Sequence, residues 1–240
     1  MKKEALRIKN LCFERFEQKI LNNINLTIYE GEFVILVGPN GSGKSTLMKI
    51  LNSSLKASSG HVFLQEKNLN KYPVYKTAQW VATLTQDLRH STFGELSVLM
   101  NIELALSRNK NYLSRIKIAD YLASFNPTLA SRLDILAGNL SGGQRQALAL
   151  AMCFAHTPQV LLLDEHTSAL DPKAADFLMA LTNTHIREQK LTTIMITHSL
   201  EHAMAYGDRL IAMAEGHVRA DISAEAKNRL SKDELIKLAY

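Results

Sequence analysis

Four groups of residues in this sequence could act on a phosphate. The first is Gly38-Pro39-Asn40-Gly41-Ser42-Gly43-Lys44-Ser45-Thr46, which satisfies the spacing G-x-x-x-x-G-K-[ST] and follows the apolar run Phe33-Val34-Ile35-Leu36-Val37. The glycines let the backbone turn its N–H groups inward around an anion, and a helix beginning near Lys44 adds the positive end of its dipole. In such a loop Lys44 reaches the β- and γ-phosphates of a nucleotide as a point charge, and the Ser45 hydroxyl ligates Mg²⁺. A glycine-rich turn that binds nothing is the alternative, but strand, loop, then helix is the context the motif requires.

The second group is Asp164-Glu165, directly after Val160-Leu161-Leu162-Leu163. Asp164 suits a carboxylate that organises Mg²⁺ directly or through water, and Glu165 is placed to accept a proton from an attacking water. The third is the pair Gln86 and His198, each at the end of an apolar run, Trp80 to Thr85 and Thr192 to Thr197. Taken singly, an Asp-Glu pair is a turn or helix cap and a lone His a hydrogen-bonded structural residue. Together they fall at the C-terminal ends of expected core strands, the edge where open α/β sheets bind ligands. His198 could there bond a γ-phosphate. The fourth group is Leu140-Ser141-Gly142-Gly143-Gln144, a Ser-Gly-Gly turn opening a helix and so a second, independent anion site.

The elements that must hold these groups follow from periodicity. Leu6, Ile8 and Leu11, then Ile24, Leu26 and Ile28, then Phe33 and Ile35 alternate as strands do, with Glu30-Gly31 as a turn signal. An antiparallel hairpin feeding the phosphate loop is predicted. Phe13 and Phe16 precede that loop; core is the commoner fate of a Phe in a strand, whereas an exposed one could stack on adenine. Thr46 to Leu55 reads as a helix and His61 to Leu64 as a short strand. Glu95 to Ser107, Leu113 to Phe125 and Gln144 to His156 have helical periodicity, interrupted at Asn126-Pro127 and Asn139.

The chain therefore reads as one domain of 240 residues. Residues 1–90 and 157–240 form an α/β core of mainly parallel sheet with an N-terminal antiparallel β subdomain, and 91–156 form an inserted helical subdomain. After the strand ending at Asp164 come a helix, Phe177 to Glu188, the strand to Thr197, a helix from Leu200 to Tyr206 and a hairpin turning at Glu215-Gly216. The closing helix starts at Ser231, where Ser231-x-x-Glu234 has capping-box spacing.

Composition limits the function classes. With 46% hydrophobic and 21% charged residues the chain is an ordinary globular one. Its net charge of +5 is spread without any basic run, the pattern of a solvated surface rather than a nucleic-acid interface. Cys12 and Cys153 stand alone with no C-x-x-C pair, which argues against a disulfide framework or zinc site and for a reducing, cytosolic setting. Met1-Lys2-Lys3-Glu4-Ala5-Leu6-Arg7 has no apolar segment behind its lysines, so neither secretion nor membrane crossing by this chain is expected.

LSGGQ at 140–144, occurring in order with GPNGSGKST, Gln86, LLLDE, Ser168-Ala169-Leu170-Asp171 and His198, resembles the ATP-binding-cassette (ABC) ATPase family across essentially the whole chain. The resemblance implies a P-loop NTPase fold and a head-to-tail homodimer in the ATP-bound state. ATP would be held between one subunit's phosphate loop and the other's Ser141, Gly142, Gly143 and Gln144. It further implies Glu165 as general base, His198 as the γ-phosphate contact, and Ser45, Asp164 and Gln86 around Mg²⁺. Gln86 would also couple to a membrane partner, Asp171 would link the two sites, and a groove beside Gln86, with Phe93 as its candidate lining, would receive a permease helix.

Three positions depart from the family pattern. Arg15-Phe16 stands where the adenine-stacking aromatic is expected, which makes Phe16 the candidate. Ala147 replaces a frequent basic residue, and His166 replaces the Pro of D-E-P-T. The DEHTSALDP form resembles importer ATPases linked to uptake of small organic solutes such as aromatic amino acids. The expected function is thus the ATP-hydrolysing subunit of a transporter at the cytoplasmic face of the membrane, with integral permease subunits and a solute-binding protein as partners. The alternative is a soluble ABC ATPase acting on nucleic acid or the ribosome. Such proteins resemble long coiled-coil hinges, tandem cassettes or cysteine-rich inserts, and none is visible here.

Overall fold

Alternating apolar and polar residues build the first layer. The computed structural model describes residues 3–87, 91–107 and 113–239; Met1 and Lys2 of the N-terminal stretch considered above lie outside them. Strands β1 (Glu4–Arg15) and β2 (Gln18–Tyr29) form the expected antiparallel hairpin. Strand β3 (Phe33–Val37) runs through the phosphate loop into helix α1 (Lys44–Leu51). Next come β4 (Ser59–Leu64), β5 (Lys67–Asn68), the short α2 (Val74–Thr77) and β6 (Val81–Thr85). The helical stretch holds α3 (Val98–Ser107), α4 (Arg115–Ala123), α5 (Pro127–Ala130) and α6 (Gly142–Phe154). The chain returns as β7 (Val160–Asp164), α7 (Pro172–Glu188), β8 (Thr192–Ile196) and α8 (Leu200–Ala205). It closes with β9 (Arg209–Ala214), β10 (His217–Ile222), α9 (Ala224–Lys227) and α10 (Lys232–Ala239).

Two sheets result. One is antiparallel in the order β2-β1-β4-β5; the other runs β10-β9-β3-β8-β7-β6 and is parallel except where β10 meets β9. β3 is apolar throughout and the other parallel strands largely so, because both of their faces are covered. Phe33, Ile35, Leu161, Leu163 and Met195 pack with Ile102 of α3, Leu122 of α4 and Leu148 of α6. Val34, Leu36, Leu162, Ile194 and Ile196 face the other way, onto Leu47 and Met48 of α1 and Leu6 and Ile28 of the antiparallel sheet. A slip of one residue in any central strand would exchange these two sets, so the register is strongly specified.

Several boundaries differ from the sequence expectation, and at three of them a local reason is visible. Helix α1 stops at Leu51 rather than Leu55, since Ser53 takes a left-handed φ of 60°. Helix α7 begins at Pro172 rather than Phe177: Pro is suited to a first turn, and the Asp171 carboxylate accepts from the Ala174 N–H at 3.0 Å. Helix α3 begins at Val98 rather than Glu95, because buried Asn101 holds the preceding loop. Its Oδ1 accepts from the Phe93 N–H, and its Nδ2 donates to the carbonyls of Phe93, Leu96 and Ser97.

One buried cation ties the C-terminal segment to the core. The ammonium of Lys227 donates to the carbonyls of Met204 (2.9 Å), Tyr206 (2.7 Å) and Gly207 (3.1 Å), oxygens left over where α8 ends. Lys227→Met keeps a similar stem and removes all three donors, so stability should fall by about 1–3 kcal/mol. Urea denaturation measures this, and an unchanged midpoint would show that the clamp contributes nothing.

Candidate nucleotide site

The phosphate loop is wedged between β9 and β2. At Gly38, with φ 145°, a Cβ would lie 2.0 Å from the Met213 carbonyl oxygen; at Gly43, with φ 99°, it would lie 2.6 Å from Leu21 Cδ2. Only glycine meets both the dihedral and the space at these positions. The turn between β9 and β10 braces the loop from the side. The Gly216 N–H donates to the Ser42 carbonyl at 3.2 Å, while the Gly216 carbonyl accepts from Asn22 N–H at 2.8 Å. Beside the loop lies a cavity of about 600 Å³ lined by Asn40, Gly41, Gly43, Lys44, Ser45 and Thr46, with Glu165 also on its wall. Sequence reading missed its remaining wall, Gln18, Lys19 and Ile20 of β2 together with Glu215 and Gly216. Glu215-Gly216 was legible only as a turn, because its packing on the loop depends on strands far apart in sequence.

Lys44 is buried and its Nζ donates to Gly38 O (2.7 Å), Pro39 O (2.9 Å) and Ser42 Oγ (3.4 Å). Burial lowers its pKa from the ordinary amine value, and the nearby Glu165 and Asp164 oppose that shift. The Ser45 hydroxyl lies 3.4 Å from Asp164 Oδ1. The Asp164 pKa is raised, first by burial and then by its negative neighbour Glu165. A hydroxyl and a carboxylate disfavoured as an anion suit a hard cation. Mg²⁺ commonly takes one or two protein oxygens and completes its shell with water and substrate phosphates. Ser45 and Asp164 are the residues that would hold such an ion.

Strand register puts the other candidates on the same edge. Leu36 pairs with Ile196, Ile196 with Asp164, and Asp164 with Thr85, so the phosphate loop, His198, Glu165 and Gln86 leave the sheet along one line. Gln86 is exposed there. Glu165 has a left-handed φ of 51°; its N–H donates to Ile196 O at 3.2 Å, and its carbonyl accepts from Ser168 N–H and Oγ. Its Oε1 lies 2.8 Å from His198 Nε2. A carboxylate only accepts, so Nε2 carries the proton of that bond. His198 thus holds Glu165 in addition to any phosphate contact. His166, the departure from the family pattern, is buried beside Thr182, and burial followed by the neighbouring His202 pushes its pKa down to about 3.

The Ser141 turn stands apart from this cavity. Ser141 caps α6 in a full capping box: the Gln144 N–H reaches Ser141 Oγ at 3.4 Å, and Gln144 Oε1 accepts from the Ser141 N–H at 3.2 Å. Gln144 Nε2 also donates to Thr128 Oγ1 at 3.0 Å. Neither Gly142 nor Gly143 has a positive φ, and a Cβ on either would meet nothing within 4 Å among the described residues. Asp171 is exposed and occupied as the α7 cap. Phe16 is 90% exposed at the β1–β2 turn, where the Arg15 guanidinium lies 5.3 Å from its ring centre. It sits two residues before Gln18 of the cavity wall and does not line the cavity itself.

Known proteins resemble this chain in sequence and in fold. The family model described as ABC transporter matches residues 21–168. A tyrosine transport ATP-binding protein of Clostridioides difficile is 40% identical over 91% of this chain and 90% of its own length. A spermidine/putrescine import ATP-binding protein of Spiroplasma citri is 34% identical over 95% of this chain, which spans 65% of that relative. Among solved structures, the dimeric post-hydrolysis state of the ATP-binding cassette MJ0796 bound to ADP and Pi aligns with a TM-score of 0.78 at 27% identity, covering 91% of this chain and 98% of that one. The cbiO1 protein of Clostridium perfringens, part of the ABC transporter complex cbiONQ, aligns at 0.81 and 26% identity, covering 98% and 94%. The family match across more than half of the sequence, carried on a P-loop fold with its phosphate loop, Glu165 and His198 at one sheet edge, means that the chain belongs to the ABC transporter family, as its ATP-binding and ATP-hydrolysing domain.

Proposed function

We propose that two copies of this chain close head to tail on two ATP molecules and drive a solute importer. The glycines at 142 and 143 carry this reading. Glycine weakens a helix by up to about 1 kcal/mol relative to Ala, and neither dihedral nor crowding within the described chain calls for it here. The demand comes from outside: a second subunit's nucleotide approaching the backbone N–H groups at the start of α6. Asp171, exposed at the start of α7, then links the two sites, and Phe16 stacks on the base from its exposed turn.

Within each site Lys44 and the loop N–H groups bind the phosphates and fix their direction. Ser45 and Asp164 would hold Mg²⁺, with Gln86 leaving the sheet on the same edge, and the ion would neutralise phosphate charge. Glu165, oriented by the His198 N–H, accepts a proton from water as that water's oxygen attacks the γ-phosphorus and the bond to the β–γ bridging oxygen breaks. ADP leaves, and His198 steadies the γ-phosphate oxygens during transfer.

Import of a small organic solute, such as an amino acid, is supported by relatives named for tyrosine transport, spermidine/putrescine import and aliphatic sulfonate import. No helix among the described residues is long and apolar enough to cross a membrane. The protein works at the cytoplasmic face by docking on integral permease subunits, with a solute-binding protein delivering the cargo and no nucleic acid involved. The docking surface is a groove of about 520 Å³ lined by Val74, Phe93, Leu104 and Met152, in which Val74, Phe93 and Leu104 are exposed. Val98 and Ile102 of α3 are buried in the core. Gly94 packs on Gly138, whose N–H donates to Gly94 O at 2.9 Å, so this close approach serves the chain's own backbone. With its backbone pinned by Asn101, Phe93 presents its ring to a permease helix as a groove does to an amphipathic helix.

Three outcomes are expected. Glu165→Gln should retain ATP binding, trap a closed dimer and lower turnover by a factor on the order of 10²–10⁴ at saturating Mg-ATP; wild-type turnover would remove Glu165 from the mechanism. Mixing Lys44→Ala with Ser141→Arg chains gathers both lesions into one site and should restore ATP binding at the other. A mixture binding no better than either parent would argue against shared sites. Phe93→Asp should leave nucleotide binding near normal while co-purification with the permease subunits is lost, since docking would desolvate a charge; undiminished recovery with normal transport would place the contact elsewhere.

A further inference from the structure

Helix α6 carries the Ser141 turn on an otherwise apolar buried side that includes Ala147, Leu148, Leu150 and Ala151. Gln146 interrupts that side and is only 1% exposed. A buried amide is costly unless hydrogen-bonded, and this one has a specific partner: its Nε2 donates to the backbone carbonyl of His166. His166 is the residue after Glu165. The bridge therefore joins the helix that begins at one anion site to the peptide that carries the carboxylate of the other.

The peptide at the receiving end is held in an uncommon conformation. Left-handed backbone at a residue other than glycine costs about 1–2 kcal/mol, so the Glu165 geometry persists because its surroundings impose it. Ile196 fixes its N–H and Ser168 its carbonyl. The His166 ring is buried near Thr182, whose hydroxyl donates to Leu178 O at 2.7 Å. Those restraints come from β8, α7 and the turn itself. The Gln146 bond ties this segment to α6, and it sits about 6 Å along the helix axis from Gly142. A shift of α6 as a rigid rod reaches Glu165 through it.

We infer that Gln146 is a positioning residue for Glu165, and that its bond to His166 couples closure at the Ser141 turn to the carboxylate of the same chain. This rests on the shared-site reading. In a head-to-tail dimer the Ser141 turn of a chain serves its partner's ATP, whereas Glu165 serves the chain's own, so the bridge passes from one composite site to the other. The coupling is mechanical, through two rigid elements and one hydrogen bond.

Heterodimers with a single working site separate this role from simple support of the turn. Two differently tagged copies are co-expressed and purified through both tags, and Lys44→Ala in one chain disables that chain's own site. In the first pairing Gln146→Leu is in the chain that retains Lys44, so the surviving site uses that chain's Glu165 and an unaltered partner turn. In the second, Gln146→Leu and Lys44→Ala share a chain, so the surviving site has an unaltered Glu165 and receives the turn of the altered helix. Relative to Lys44→Ala paired with wild type, the first pairing should lose turnover roughly tenfold with little change in KM, and the second should match the reference.

Loss in the second pairing alone would make Gln146 a support of the Ser141 turn and overturn the proposal. Equal loss in both, or loss in neither, would also overturn it. Gln146→Met, with similar volume and no donor, repeats the comparison should the leucine variant fold poorly, and the two pairings contain the same altered helix. Failure of shared sites themselves would show separately, in the Lys44→Ala and Ser141→Arg mixture.

Discussion

The site depends on the register of four parallel strands, β3, β8, β7 and β6. Their side chains are divided between two cores, with Leu161 and Leu163 on one face and Val160 and Leu162 on the other. That division leaves no freedom to slide, because any slip would bury the wrong set against both layers. The pairing Leu36, Ile196, Asp164, Thr85 then fixes which residues emerge at the strand ends. The phosphate loop, His198, Glu165 and Gln86 are brought together by hydrophobic packing in which none of them takes part.

Electrostatics at that edge work against each charged group alone. Lys44 is made less basic by burial, and Asp164 is made less acidic by burial and by Glu165. Each shift reports a charge that would be better solvated elsewhere. The backbone of the loop, gripped by Gly38 against Met213 and by Gly216 against Ser42, prevents relaxation away from the site. A bound triphosphate would supply the negative charge that faces Lys44, whose Nζ would exchange its bonds to Gly38 O, Pro39 O and Ser42 Oγ for phosphate oxygens.

Much of this was legible in the sequence because it rests on local pattern. The phosphate loop follows an apolar run of five residues, and Asp164-Glu165 closes another, so strand ends could be recognised without knowing their neighbours. Boundaries set by one side chain were less visible. The early start of α7 depended on reading Asp171-Pro172 as a cap and first turn, and Asp171 had instead been assigned to a link between sites. Contacts between distant segments left no local signal at all. Neither the packing of Glu215-Gly216 beside Lys44 nor the reach of Gln146 to the His166 carbonyl has a periodicity or spacing of its own. Phe16, proposed to stack on the base, is exposed and does not line the cavity.

On the proposed shared-site reading, the Ser141 turn is a half-site already ordered in the single chain. Its cap is closed by Gln144, and Gln144 is tied in turn to Thr128, so the N–H groups at the start of α6 keep one direction in the isolated chain. Ordering a loop at the moment of association would subtract from the affinity of the dimer for ATP, whereas a turn ordered during folding does not. The two glycines leave its approach open, and the capping box keeps the flexibility that glycine introduces from becoming disorder. Openness and rigidity are therefore supplied by different residues of the same five-residue stretch, which explains why the motif needs both its serine and glutamine and its glycines.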